Sequence, residues 1–352
     1  MSRVRIGLDI GATAVRAAEL SMRTVPPSLV RVSQVPIAPG AVSNGEVRDP
    51  DAVSDALREL WHQGKFRSKD VILGVANQRV VVREVTLPWL PYKELRESLP
   101  FQVQEFIPIP LDDCVLDFHV LEEIERDGRR MVRLLLVAAQ KHMTQQIVEA
   151  VDSAGLKPVG LDLIPFAIVR SVGSIDGLGL GGQAGDEALV DVGADVTSVC
   201  VHAWGVPRFV RILQSGGRQI THAVAQGVQV SEEEAERLKR ANGSEPDRAK
   251  AANVARAAAA GAATFAEEIR SSLEFYLAQM PGARIGRILL TGGGSKLQGL
   301  EAVLEEHLPA EVVQGRPFHR VSGELDLPPD AVAQAEPLLA VAVGLALPGV
   351  RG

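Results

Sequence analysis

Cysteine and aromatic residues are scarce in this chain, with two cysteines and 4% Phe, Trp and Tyr in 352 residues. Cys114 and Cys200 lie far apart and match neither a disulfide framework nor a metal-ligand spacing, so a reducing cytoplasm is the expected setting. So few rings argue against a base-stacking surface. A net charge of −7 argues against duplex binding, whose affinity rests on neutralising phosphates. The seven histidines include no two-His helical metal pair, and there is no Gly-x-Ser-x-Gly elbow. A Walker A loop is missing as well, since the glycines before Ser295 and Lys296 lack its spacing. Long apolar runs are also absent. Those around 257–266 and 337–350 fall short of the roughly 20 residues that cross a bilayer. The first residues enter a strand pattern directly, without a basic segment ahead of an apolar one, so no secretory leader is expected. Membrane contact is therefore expected to run through a partner, with no direct insertion.

What is present suits a soluble globular protein of two domains or four subdomains, with 46% hydrophobic and 23% charged residues. Residues 4–10 and 14–20 read as strands around a tight turn, with a third β-like stretch at 30–39. Residues 50–63 place Val53, Leu57 and Leu60 on one helical face, with Asp49 or Asp51 as a cap. Stretches 71–76 and 79–87 read as a hairpin around Asn77 and Gln78. A composition shift follows: a helical pattern at 88–110 carrying Leu95, Leu99, Val103 and Phe106, strands at 115–121 and 131–138 turning at 126–128, and a helix at 142–153. This α-β-β-α block reads as an inserted subdomain. A strand at 158–163, a helix at 165–172 and a glycine-rich linker at 173–185 come next. Gly177, Gly179 and Gly182 in that linker match the dinucleotide pattern, but a helix precedes them and a strand follows, the reverse of what that pattern needs. Strands at 188–192, 196–202 and 208–213 lead to helices from about 217, from Ser231 and over 247–279. A strand, glycine turn and helix at 287–308 and an apolar helix at 337–347 complete the pattern.

Two stretches, "GLDIGATAVR" at 7–16 and "LVDVGADVTSV" at 189–199, pair Asp9 with Asp191, Gly11 with Gly193 and Ala12 with Ala194. Each puts a carboxylate at a strand end before a small-residue turn. Such turns leave backbone N–H groups free and let an anion approach closely. A buried carboxylate there needs a cation or donors. Two such hairpins facing each other would hold a polyphosphate, with the aspartates reaching Mg²⁺ directly or through water.

With "LLTGGGSKLQGL" at 289–300, these stretches resemble the two phosphate motifs and the adenosine motif of the actin-like ATPase superfamily. The resemblance covers nearly the whole chain. It implies an α/β fold of two duplicated RNase H-like domains around a nucleotide cleft, binding ATP and Mg²⁺. Within the superfamily, residues 86–121, "GGRQITHAVAQ" with "EAERLK", and "RSSLEFYLAQ" resemble the PilM family of type IV pilus assembly. The implied organisation is subdomain 1A at 1–86, an inserted 1C subdomain at 87–157, a return to 1A and linker at 158–185, domain 2 at 186–335 with 2B at about 217–280, and a C-terminal 1A helix at 336–352.

The resemblance makes Asp9 and Asp191 the Mg²⁺-side carboxylates. Gly11, Ala12 and Thr13 form the first phosphate loop, Gly193, Asp195 and Thr197 the second, with Gly216 and Gly217 beside it. Arg16 stands where many relatives have a phosphate-contacting lysine, or is an exposed strand residue. Thr197 equally suits an ordinary strand position. Glu236 and Lys239 share a helical face and either reach the ribose and adenine or form a solvated charged surface. Gly292, Gly293, Gly294 and Ser295 would let a helix N-terminus approach the nucleotide.

Ile164 departs from the pattern. Hydrolytic relatives often have glutamate before this proline, and isoleucine cannot orient water or accept a proton, so ATP is expected to bind with slow or negligible hydrolysis. The family resemblance also implies an adaptor bound to the short cytoplasmic tail of a PilN-like bitopic membrane protein, alongside other platform or motor proteins, peripheral to the inner face of the membrane. Homo-oligomers are allowed, nucleic acid is not expected, and the 71–87 and 91–106 segments are the candidate groove walls. An FtsA-like cell-division ATPase is the alternative, disfavoured because the chain ends in an apolar segment without a polar face. A small-molecule kinase of the same superfamily fits least.

Overall fold

The computed structural model describes residues 4–174, 185–241, 246–297, 299–308, 310–323, 325 and 328–349. Strands β1 (Val4–Ile10) and β2 (Ala14–Ser21) are antiparallel with Asp9 opposite Arg16, so residues 11–13 form the whole turn. Strand β3 (Ser28–Pro36) extends this meander. A small hairpin of β4 (Val42–Ser43) and β5 (Glu46–Val47) turns on Asn44 and Gly45 at φ 53° and 75°, the left-handed pair an Asn-Gly turn supplies. Helix α1 (Pro50–Gly64) starts where proline presets φ and the Asp49 carboxylate accepts from the Ala52 N–H at 3.0 Å. Its Val53, Leu57 and Leu60 face the sheet. Strand β6 (Asp70–Val75) then lies parallel to β1.

The chain next leaves this sheet for an insert made of β7 (Val80–Pro88), α2 (Tyr92–Val103), β8 (Cys114–Arg126) and β9 (Arg129–Gln140), with strand order β7-β9-β8. The hairpin expected at 71–87 does not form. Strand β6 is flanked by β1 and β10, which leaves it no edge for β7, and β7 pairs with β9 instead. Leu95, Leu99 and Val103 are buried in the insert's own core with Phe118, Leu134 and Leu136.

Helix α3 (Lys141–Ser153) and strand β10 (Lys157–Leu163) return to the first sheet, whose order is β10-β6-β1-β2-β3. The sequence pattern puts this helix in the insert. Its apolar face (Met143, Ile147, Ala150, Val151) is instead buried beside α1 in the core of the first lobe. Helix α4 (Ile164–Val172) follows. The expected linker glycines 177, 179 and 182 lie outside the described residues.

The second lobe repeats the plan. Strands β11 (Asp186–Val192), β12 (Thr197–Ala203) and β13 (Val206–Leu213) form a meander. Helices α5 (Gly217–Val228), α6 (Glu232–Arg240, capped by the Ser231 hydroxyl) and α7 (Arg248–Gln279) intervene before β14 (Ile285–Thr291), α8 (Leu300–His307) and β15 (Glu311–Gln314). Sheet order β13-β12-β11-β14-β15 keeps the same antiparallel and parallel neighbours as the first sheet. Helices α9 (Pro329–Ala335) and α10 (Ala340–Ala346) then lead back, and α10 packs on the first lobe. Helix α4 joins the lobes: Ile168, Val169 and Val172 pack on Leu189, Cys200 and Leu289 of the second sheet, while Ala167 meets Val341 and Leu345 of α10. No helix among the described residues is long and apolar enough to cross a membrane.

Candidate functional site

The duplicated meanders aim their first turns at one another. In each, a glycine N–H folds back onto the carbonyl three residues on: Gly11 to Ala14 at 3.1 Å and Gly193 to Val196 at 3.0 Å. The turns line a cleft of about 570 Å³, a size suited to a small-molecule ligand. From the first lobe it is lined by Asp9, Gly11, Ala12, Thr13 and Arg16, and from the second by Asp191, Gly193, Ala194 and Asp195. Gly217, Arg218, Glu236, Lys239, Arg240, Gly292, Gly293, Gly294 and Lys296 add to the polar and glycine lining, with Gly45 among the rest, and Ile164 supplies an apolar wall.

Three residues expected in the lining support it from behind. Thr197 is buried and its hydroxyl donates to the Ser215 carbonyl at 2.7 Å. A Cβ on Gly216 would sit 2.5 Å from the Gly193 carbonyl oxygen, so only glycine lets the second loop rest here. Buried Ser295 donates to the Gly292 carbonyl at 2.8 Å. The expected helix N-terminus at the glycine triplet is also absent. Gly292 turns at φ 82°, a 3-10 turn spans Gly293–Lys296, and α8 begins only at Leu300. The Gly292 N–H is taken by the Pro337 carbonyl at 3.0 Å. Conversely, the cleft recruits Arg218, Arg240 and Lys296, which pattern reasoning missed. Arg218 follows the glycine pair that opens α5, and Arg240 stands one turn after Glu236; both signals were readable.

The lining carries five cations (Arg16, Arg218, Lys239, Arg240, Lys296) against four carboxylates (Asp9, Asp191, Asp195, Glu236). An anion is thus admitted by a protein that is acidic as a whole. Two of the carboxylates are already committed. Arg218 Nε lies 3.0 Å from Asp195 Oδ1. Burial acts to raise the Glu236 pKa, but hydrogen bonds from Lys239 and Thr221 bring it to about 2. Lys239 also donates to the Gly217 carbonyl at 2.9 Å, which ties α6 to the start of α5. The Glu236–Lys239 pair, 2.6 Å apart, is therefore half-buried at the cleft and no solvated face.

Asp9 and Asp191 are uncomfortable. Burial raises the pKa of Asp9, opposed by Arg16 with Nη1 3.3 Å away. Burial, then the charge of Asp9, pushes Asp191 up to about 7. Arg16 offsets this repulsion only in part, which leaves the pair suited to a further cation. Among the described residues no group of three or more His, Cys, Asp or Glu side chains is arranged to hold a metal ion alone. That is compatible with Mg²⁺, which keeps its waters and takes one or two protein carboxylates together with phosphate oxygens. The pair fits that role, and Mg²⁺ would supply the charge that allows both groups to ionise.

A family model described as type IV pilus assembly protein PilM matches residues 7–350. Among solved structures, a PilM-PilN type IV pilus biogenesis complex superposes at TM-score 0.84 with 30% identity, covering 99% of each chain. MreB 5 of Spiroplasma citri bound to AMPPNP gives TM-score 0.55 at 11% identity, covering 98% of this chain and 95% of that one; the fold is that of the actin-like ATPases. The cell division protein FtsA of Bacillus subtilis is 24% identical over 258 residues, which is 67% of this chain and 57% of that protein. The chain thus spans little more than half the length of that relative.

Proposed function

The chain belongs to the PilM family of type IV pilus assembly proteins, and from that membership we propose that it is an ATP-binding adaptor of the pilus inner-membrane platform. The observation that carries the nucleotide half is the convergence of two Asp-x-Gly turns on one cleft with a cationic excess. Gly11, Ala12, Thr13, Gly193 and Ala194 present backbone to the phosphates, and Asp9 and Asp191 take the Mg²⁺ side. Glu236, Lys239 and Gly292 to Gly294 border the nucleoside. ATP then acts as a structural ligand that stabilises the closed cleft by mass action.

Hydrolysis is expected to be slow. At Ile164 the cleft wall offers no acceptor for the attacking water, and Asp195 and Glu236 are held by cations. Purified protein should turn over ATP more slowly than about once per minute, a rate constant near the low extreme for enzymes. Faster turnover that is abolished in Asp191→Ala would reject this reading.

The partner half rests on the likeness to a PilM-PilN complex. The proposed occupant is the short cytoplasmic tail of a PilN-like membrane protein, which would hold this chain at the inner face of the membrane. Within the groove walls expected from sequence, the apolar stripe of Val71, Leu73, Leu95, Leu99 and Val103 is buried, which leaves the outer face of the 91–106 segment open to a partner. The insert's exposed apolar residues include Phe101, at 83% exposure, and Tyr92. A synthetic tail peptide should bind in solution, and Phe101→Ala should weaken it about tenfold, as expected for an aromatic anchor. No binding with or without Mg-ATP would overturn the adaptor reading.

A further inference from the structure

We propose that the Asn44 turn clasps the second phosphate loop across the cleft, and that a buried polar knot passes nucleotide occupancy from this clasp to the root of the insert. The inference rests on nucleotide binding in the cleft and goes beyond it. The Asn44 N–H, on the first lobe, donates to Asp195 Oδ2 on the second at 3.3 Å. Asp195 is 8% exposed, and its other oxygen faces Arg218 at 3.0 Å. A buried carboxylate is costly without partners, and this one divides its charge between a cleft-lining cation and the opposite lobe.

Behind Asn44, the turn is anchored to the insert's root. Asn77 is 1% exposed; its Nδ2 donates to the Asn44 carbonyl at 2.6 Å and to Glu46 Oε1 at 3.2 Å. Asn77 Oδ1 accepts the Arg79 N–H at 2.7 Å. Arg79 Nε lies 3.1 Å from Glu46 Oε1, and its Nη1 donates to Gln140 Oε1 at 3.1 Å. Arg79 precedes β7 and Gln140 ends β9, so both points where the chain enters and leaves the insert are held by this knot. A Cβ on Gly45 would run into the Ala76 carbonyl, so turn and root move as one piece.

Phosphates entering between the loops compete for Arg218. Asp195 then leans more on the Asn44 N–H, because the desolvated carboxylate has lost its cation. The clasp tightens, and the turn, Asn77, Arg79 and Gln140 are drawn with it. Nucleotide binding in one place thereby stiffens the base of the insert in another, which is a coupling free energy between the two sites.

Hydrogen exchange of the full chain with and without Mg-ATP tests this, read at amides 79–82 and 138–140 and paired with a direct measurement of nucleotide affinity. In the wild type, Mg-ATP should slow exchange at the root about fivefold or more. Asn77→Ala and, independently, Arg79→Ala should reduce that to under about twofold while nucleotide affinity stays within about threefold. The surface-exposed Arg79 variant covers the case in which loss of buried Asn77 impairs folding. Nucleotide binding with unchanged exchange at the root, or full slowing in Arg79→Ala, overturns the coupling and leaves the nucleotide site standing. Failure of the wild type to bind Mg-ATP overturns both.

Discussion

At pH 8 and without nucleotide, Asp191→Asn melts several degrees above the wild type, and Mg-ATP no longer raises its melting temperature. The expectation follows from the Asp191 carboxyl sitting near 7 in the fold against about 3.9 in an unfolded chain. Between those values the native state holds a proton that the unfolded state has lost, so stability falls as pH rises from about 4 to about 7. Above that window the nucleotide-free protein carries the full cost of a buried charge beside Asp9. The amide removes the charge but must itself find hydrogen bonds, so the net gain is about 2 kcal/mol. At about 2–4 °C per kcal/mol, this is a rise of roughly 4–8 °C. Mg-ATP works in the opposite direction. In the wild type, nucleotide at about 100 times its dissociation constant adds about 2.7 kcal/mol, whereas the asparagine variant, without its cation ligand, should lose at least about 100-fold in affinity. The wild-type shift should also shrink from pH 8 to pH 6, since protons compete with Mg²⁺ for Asp191. Differential scanning fluorimetry at both pH values reads all three effects. An asparagine variant that melts lower than wild type without nucleotide, yet still responds to Mg-ATP, would remove the cation role from this carboxylate.

Gly344→Val is expected to leave little or no folded protein, a loss of about 4 kcal/mol or more measured by chemical unfolding or by soluble yield. Helix α10 is clamped from two sides. A Cβ on Gly344 would collide with the Ala167 carbonyl of α4, and one on Gly7 of β1 would collide with the Ala342 carbonyl of α10. Both obstacles are backbone, so neither can turn aside as a flexible side chain does. All seven residues of α10 are buried, and its contacts reach β1, β2, β6 and α4. Displacing the helix would open the seam between the lobes as well as the first core, since Ala340 packs with Ile168 and Leu189. A variant that folds with near-native stability would show that α10 can slide off β1, and the clamp would not be what seats it.

The parts of the fold legible in the sequence were those with local physical signatures. The twin carboxylate turns stood out because a small-residue turn interrupts an apolar strand in the same way twice. Helices α1 and α6 announced their starts through Asp49, one of two candidate caps, and Ser231, each of which accepts from the first turn of its helix. What failed depended on partners distant in sequence. Strand β6 has a hairpin-like neighbour in β7, but its two edges were claimed by β1 and β10, and β10 starts at residue 157. The apolar face of α3 fits either an insert or a main core; only the position of α1 decides between them. The glycine triplet near 292 looked like a helix start, because nothing local reveals that Pro337, between α9 and α10, takes the Gly292 N–H. The Asn44-Gly45 turn did carry a local signal and was overlooked, since flanking strands of two residues each show no alternation. In the cleft, sequence pairing found the carboxylates and glycines. It missed Arg218 and Arg240, whose positions beside the glycine pair and one turn after Glu236 were readable, and Lys296, whose charge matters only once separate segments have been brought together.

The return of α10 to the sheet begun by β1 also constrains how the protein is made. Residues 4–10 leave the ribosome long before α10, and the face they present to Ala342 and Leu345 stays bare until residues 340–346 emerge. At about 5–20 residues per second that wait lasts tens of seconds. The second lobe has its own sheet, helices and core inside residues 186–314 and can finish during it. The half of the molecule translated earlier is therefore the half that folds to completion last, and its α10-facing surface stays open to solvent in the meantime.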